Sequence, residues 1–164
     1  MHEQAKDTKC ESCKDSGKMD RRRLLRVVGS GAGALLLLRA LPGCGQNTGS
    51  PPTGPVSAGN LAAVKVNSLE IMSSNVVIGR DSNGLYAMSA ICTHAGCVLE
   101  DSAGTIAAGL TCPCHGSAFD GNGAVIQGPA RSPLQHYQVT VAADGSITAD
   151  GGKPVAATVR TPAG

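Results

Sequence analysis

The sequence is poor in aromatic and charged residues. It has no Trp, one Phe and two Tyr among 164 residues, and charged residues make up only 16%. It has 22 Gly and 9 Pro instead, which excludes a long helical bundle or coiled coil and favours short strands joined by turns. A core with so few rings must be small and aliphatic, so such a domain gains stability from a covalent or metal cross-link.

Charge is divided unevenly along the chain. Residues 1–43 hold nine Lys or Arg against five Asp or Glu, whereas residues 44–164 hold five against seven. The basic character therefore belongs to the N-terminal part, and the remainder is mildly acidic. That balance excludes a basic nucleic-acid interface on the remainder, so no nucleic-acid partner is expected.

Residues 1–43 are predicted to form an export leader. The uncharged run Val27–Leu38 has only 12 residues, whereas a membrane-spanning helix needs roughly 17–25. The preceding segment Arg21–Arg26 resembles a twin-arginine signal. An ordinary secretory leader and a short uncleaved anchor are the alternatives. Because twin-arginine substrates cross the membrane folded, this resemblance implies a cofactor inserted in the cytoplasm and a destination in the periplasm or on the outer surface.

The leader is followed by a predicted anchor and tether. Leu41-Pro42-Gly43-Cys44 resembles a lipobox and predicts lipidation of Cys44, although Pro42 departs from the usual small or aliphatic residue. The alternative is a cysteine that merely follows the signal. Residues 44–60 contain no charge and many Gly, Pro and Ser, so they are predicted to be a flexible linker.

Residues 61–150 are predicted to form an all-β domain, a small antiparallel sandwich or barrel, followed by a weakly patterned tail over residues 151–164. Turn signals at 81–84 and 144–145 each predict a hairpin between the flanking apolar segments. The predicted strands are Val64–Val66, Val76–Gly79, Leu85–Ala90, Val125–Gln127, Tyr137–Val141 and Ser146–Ala149.

Two segments fit neither strand nor turn patterns. They are Cys92-Thr93-His94-Ala95-Gly96-Cys97 and Cys112-Pro113-Cys114-His115-Gly116-Ser117. Each offers one Cys and one His at short spacing together with a further Cys. Thiolates combined with imidazoles select zinc, copper or an iron–sulfur cluster. A Cys2His2 zinc site is one interpretation, but it leaves the further Cys of each segment without a role.

These paired segments resemble the Rieske [2Fe–2S] family, whose hallmark is Cys-x-His-x-Gly-Cys followed later by Cys-x-Cys-His-x-Ser. The resemblance covers roughly residues 61–149 and implies one [2Fe–2S] cluster per chain in a Rieske-type fold. Carried over by position, it implies that Cys92 and Cys112 bind one iron and that His94 and His115 bind the other. Because two imidazoles replace two thiolates, the cluster is less negative, and its reduction potential rises to roughly −150 to +300 mV.

The resemblance also implies roles around the cluster. Cys97 and Cys114 are implied to form a disulfide, which requires the oxidising compartment that the leader predicts. Ser117 matches the serine whose hydroxyl donates a hydrogen bond to a cluster sulfur. Phe119 stands where quinol-oxidising members carry a Tyr donor, so we expect a potential above that of low-potential ferredoxins but below that of quinol-oxidising proteins. The segment at 128–130 resembles the loop that shields the third side of the cluster.

Together these features predict an exported, membrane-tethered electron carrier or subunit that serves a partner oxidoreductase and has no independent catalysis. One alternative is the iron–sulfur subunit of a quinol-oxidising cytochrome b complex. Another is the small subunit of a molybdenum oxidase such as arsenite oxidase, and a structural zinc domain is a distant one. The predicted partners are a redox protein and the membrane, the latter through a lipid anchor or the leader.

Overall fold

The computed structural model describes residues 47–163, so the predicted leader and Cys44 lie outside the described residues. The described part has strands and turns, and it holds no helix long and apolar enough to cross a membrane. Its strands are β1 (Pro55–Asn60), β2 (Ser68–Met72), β3 (Val76–Asp81), β4 (Gly84–Ser89), β5 (Glu100–Asp101), β6 (Leu110–Thr111), β7 (Ala118–Phe119), β8 (Val125–Gln127), β9 (His136–Val141) and β10 (Ser146–Val155).

The strands form two antiparallel sheets. The larger has six strands in the order β1-β10-β9-β4-β3-β2, and the smaller has four short strands in the order β5-β6-β7-β8. The hairpin predicted around the turn at 81–84 is β3–β4, and the predicted closing hairpin is β9–β10. The all-β antiparallel class predicted from the sequence is therefore confirmed.

The strand expected at Val64–Val66 is wrong. These residues lie in a turn-rich connection, in which Val64 is buried and Val66 is 54% exposed. The amide of Ser68 donates to the carbonyl of Lys65, and the intervening Asn67 has a φ of 63°. Because that turn reverses the chain, the extended segment starts only after it, as β2.

The folded part extends beyond both boundaries predicted from composition. Residues 47–60, predicted to be a flexible linker, lie against the domain, because β1 pairs with β10 and Thr48 forms a bridge with Cys97. At the other end, β10 continues past an irregularity to Val155, and Thr161 pairs with Leu85. Backbone pairing at a sheet edge needs no apolar side chain, so polar, glycine-rich composition does not reveal it.

Strands β3 and β4 are apolar on both faces because each face covers a separate cluster of buried side chains. Val77 and Met88 belong to a cluster that contains Phe119 and the loop cysteines. Val76 and Ile78, which alternate with Val77, belong to a second cluster built with β9 and β10. The first cluster therefore joins the larger sheet to the two cysteine–histidine segments.

Candidate metal centre

The two cysteine–histidine segments form loops with the same backbone closure. In loop 1, residues 92–97, the amide of Cys92 donates to the carbonyl of Cys97 over 2.8 Å, and the amide of Gly96 donates back to the carbonyl of Cys92 over 3.0 Å. Loop 2, residues 112–117, repeats both bonds between the corresponding positions, at 2.7 and 3.0 Å. Gly96 and Gly116 have φ values of 76° and 71°, a backbone conformation that favours glycine.

A disulfide joins the two loops. It links Cys97 to Cys114, the pair that the family resemblance implied. The sulfurs of Cys97, Cys112 and Cys114 lie within 4.8 Å of one another, but two of them are bonded to each other and only that of Cys112 is a free thiol. Within residues 47–163 the free cysteines are Cys92 and Cys112, both buried.

The environment of Cys112 suits a thiol that ionises on binding a cation. Burial raises the pKa of its thiol, and the adjacent Cys92 thiol raises it further, while backbone N–H groups of Cys114 and His115 oppose both effects. Cys92 and Cys112 belong to one cluster of buried side chains, and each carries a free thiol. A bound cation removes such protons outright, and the same backbone N–H groups then stabilise the thiolate.

The two loop histidines lie on the outside of the centre. His94 and His115 are exposed, and their rings meet edge to face with centroids 4.8 Å apart. The disulfide-linked loops therefore hold two buried free cysteines, Cys92 and Cys112, and two exposed imidazoles that contact each other. A donor set of two thiolates and two imidazoles fits a Rieske-type cluster and also fits tetrahedral zinc.

The segment at 128–132 lies against both loops, in part through Ser117 of loop 2. The Ser117 side chain is fully buried, and its Oγ accepts the amide of Ala130 over 3.1 Å. The hydroxyl of Thr93 donates to the carbonyl of Ser132 over 2.7 Å. The segment at 128–132 thus contacts both loops. The proton of the Ser117 hydroxyl is left available for another acceptor.

Phe119 and His136 are packing residues. Phe119 lies in β7, pairs with Leu110 and is fully buried. His136 lies outside both loops, is buried, and stacks on the Tyr86 ring with centroids 5.8 Å apart. Sequence reasoning missed the contact of residues 47–49 with loop 1, since small polar residues that pair through their backbone leave no side-chain signal.

The model of the family described as "Rieske [2Fe-2S] domain" matches residues 55–138 of this chain. The cytochrome b6-f complex iron-sulfur subunit of Synechococcus sp. (strain RCC307) is 48% identical over 69 residues, which cover 42% of this chain and 38% of that protein. The subunit of that name from Chlorobaculum tepidum is 31% identical over 138 residues, covering 78% of this chain and 74% of that protein.

A solved structure with a similar fold is the plasma membrane Rieske protein PetC3 from Synechocystis PCC 6803. It is 27% identical, with a TM-score of 0.45, over 57% of this chain and 97% of that one. The present chain spans 38% of the length of the relatives from Synechococcus sp. strains RCC307 and CC9605.

Proposed function

Because this chain belongs to the Rieske [2Fe-2S] family, we propose that it passes single electrons between redox partners through a [2Fe–2S] cluster held by loops 1 and 2. One observation carries this proposal: each loop supplies one buried free thiol and one exposed imidazole. The two loops are closed by the same pair of backbone hydrogen bonds. The cluster, when bound, supplies reversible one-electron chemistry. The chain itself would bind the cluster, shield it from water and exchange protons with solvent.

The ligand assignment follows from burial. We assign Cys92 and Cys112 to one iron, because both are free cysteines, are only 2% and 3% exposed, and belong to one buried cluster. We assign His94 and His115 to the other iron, because both rings reach the surface from opposite loops. This arrangement keeps water from the sulfurs and leaves the imidazoles as the point of contact for a redox partner.

Two features of the chain are assigned to tuning. Buried Ser117 holds its oxygen on the amide of Ala130, so its hydroxyl proton is free to donate to a sulfur of the cluster. An imidazole that bound iron through one nitrogen would keep a second nitrogen for a proton, and the exposure of His94 and His115 would give that proton a path to solvent. Electron uptake by the cluster would then be linked to proton uptake at these two rings.

The proposed partner is a membrane-bound oxidoreductase, with a cytochrome b complex as the favoured class. The relatives from Synechococcus and Chlorobaculum support this choice, since both are described as iron-sulfur subunits of cytochrome b6-f complexes. The disulfide supports placement in an oxidising compartment. Export through a twin-arginine leader and lipidation of Cys44 complete the proposal, and mass spectrometry of the mature N-terminus tests both.

The experiment that tests the proposal is metal analysis of ligand variants prepared without oxygen. The parent chain should contain iron and acid-labile sulfide in equal amounts, whereas Cys92→Ser and His94→Ser should lose both. His136→Gln is the matched control. Because His136 lies outside the loops, this variant should retain the cluster. Zinc without sulfide in the parent, or full iron in the ligand variants, would overturn the proposal.

A further inference from the structure

Residues Asn47–Ser50, called the strap below, run antiparallel beside the end of loop 1. The amide of Gly49 donates to the carbonyl of Gly96 over 3.0 Å, and the amide of Val98 donates to the carbonyl of Asn47 over 2.8 Å. Thr48 lies opposite Cys97 in the resulting bridge. The strap precedes residues 55–138, which the family model matches, so nothing in that match accounts for it.

The strap is also fixed on its other side. The side-chain amide of Asn75 donates to the carbonyl of Ser50 over 3.1 Å, and the backbone carbonyl of Asn75 accepts the amide of Ala90 over 2.9 Å. A Cβ added to Gly49 would lie 2.8 Å from Cδ1 of Ile91 and 3.1 Å from Cγ2 of Val98. The strap is therefore packed tightly between loop 1 and the start of β3.

Contacts continue from the strap to both loops. Cys97, which faces Thr48, accepts the amide of Cys92 through its carbonyl and so closes loop 1. The sulfur of Cys97 is bonded to that of Cys114 in loop 2. A shift of the Cys97 backbone would therefore act on loop 1 directly and on loop 2 through the disulfide.

We propose that the strap is a positioning element for the cluster, which keeps loop 1 closed and keeps water away from the sulfurs. This inference rests on the proposed function. Loss of two backbone hydrogen bonds of ordinary strength should make opening of loop 1 about tenfold or more frequent. A more open loop admits water, which stabilises the more negative reduced cluster, so the reduction potential should rise while cluster loss accelerates.

Two pairs of substitutions test the strap in the full, iron-loaded chain. Gly49→Val crowds the strap against Ile91 and Val98, whereas its control Gly54→Val places the same side chain where no atom lies within 4 Å. Asn75→Gly removes the donor to Ser50 and tolerates the φ of 60° at that position. Its control is Asn67→Gly, which has a φ of 63° and backbone bonds to residues 80 and 106, away from the strap.

The measurements are bleaching of the visible absorbance under a chelator, the reduction potential, and amide hydrogen exchange at Val98. Gly49→Val and Asn75→Gly should each lose the cluster about tenfold faster than their controls, with a raised potential and faster Val98 exchange. Equal rates and potentials within both pairs would overturn the proposal.

If a variant fails to fold, amide exchange at Val98 in the parent chain tests whether the strap holds loop 1. In the parent chain the Val98 amide should be protected, because its acceptor is the carbonyl of Asn47 in the strap. Exchange at the rate of an unstructured peptide would show that the strap does not hold loop 1. A parent chain that binds no iron yet protects Val98 would instead overturn the proposed function and leave the contact of the strap with loop 1 standing.

Discussion

The buried hydroxyl of Ser117 accepts the backbone amide of Ala130 over 3.1 Å. This bond holds the segment at 128–132 against loop 2, and a lone pair of the Ser117 oxygen points toward the Ala130 amide. The proton of the same hydroxyl is therefore free to donate to a sulfur atom of the cluster. A donor of this kind stabilises the reduced cluster more than the oxidised one, because the reduced cluster carries the greater negative charge.

Ser117→Ala should lower the reduction potential by about 65–90 mV, which corresponds to the loss of one charge-assisted hydrogen bond of about 1.5–2 kcal/mol. Protein-film voltammetry measures the change. Ser89→Ala is the matched control, because Ser89 is also a buried serine whose oxygen accepts an amide, that of Ile91, over 3.1 Å. Equal potentials in Ser117→Ala and the parent would show that this hydroxyl does not reach the cluster.

Phe119→Tyr should raise the reduction potential. The Phe119 ring is fully buried in the same cluster of side chains as Cys92 and Cys112, so a hydroxyl added to it must find a partner in that surrounding. Donation to a sulfur would stabilise the reduced state. Voltammetry of Phe119→Tyr beside Phe119→Leu separates the hydroxyl from altered packing, and a potential that stays at the parent value would count against this role for position 119.

His136 should make the folded chain less stable in mild acid. Burial lowers the pKa of its imidazole, although the hydrogen bond to the carbonyl of Asn122 opposes this effect. At 2.9 Å that bond needs the proton on Nε2, which leaves Nδ1 buried without a partner. As the pH falls below about 6.5, the unfolded chain binds a proton that the folded chain excludes, so the free energy of unfolding falls.

His136→Gln keeps an amide donor for Asn122 and removes the titration. Between pH 6.5 and the lowered pKa of folded His136, the free energy of unfolding of the parent, measured with denaturant, should fall by up to about 1.4 kcal/mol per pH unit because of this residue. The variant should not show this part of the decrease. Parallel pH profiles for parent and variant would refute the assignment of a neutral, buried His136.

The sequence was most informative where residue chemistry is specific. The two Cys–His segments predicted both loops, and the turn at 81–84 predicted the β3–β4 hairpin, because these features depend on a few residue types at fixed spacing. The disulfide between Cys97 and Cys114 was implied by the family pattern and is present. Strand β2 was missed because its SLEIM sequence mixes polar and apolar residues at a sheet edge.

Long-range contacts could not be predicted in this way. Residues 47–60 resemble a linker in composition, yet Gly49 and the residues of β1 pair with distant partners at residues 96 and 146–150. The tail is similar, since Arg160 reaches back to Asp81 over 2.6 Å and lies 4.0 Å over the Tyr86 ring. Such contacts depend on where the fold places each partner, which local patterning does not encode.

A redox titration of the anaerobically purified chain, followed by electron paramagnetic resonance, tests most directly whether the two loops hold a one-electron centre. Reversible uptake of one electron per chain, with a Rieske-type signal in the reduced state, is the predicted result. A colourless chain that takes up no electron and gives no signal, with its Cys97–Cys114 disulfide intact, would contradict electron transfer by this protein.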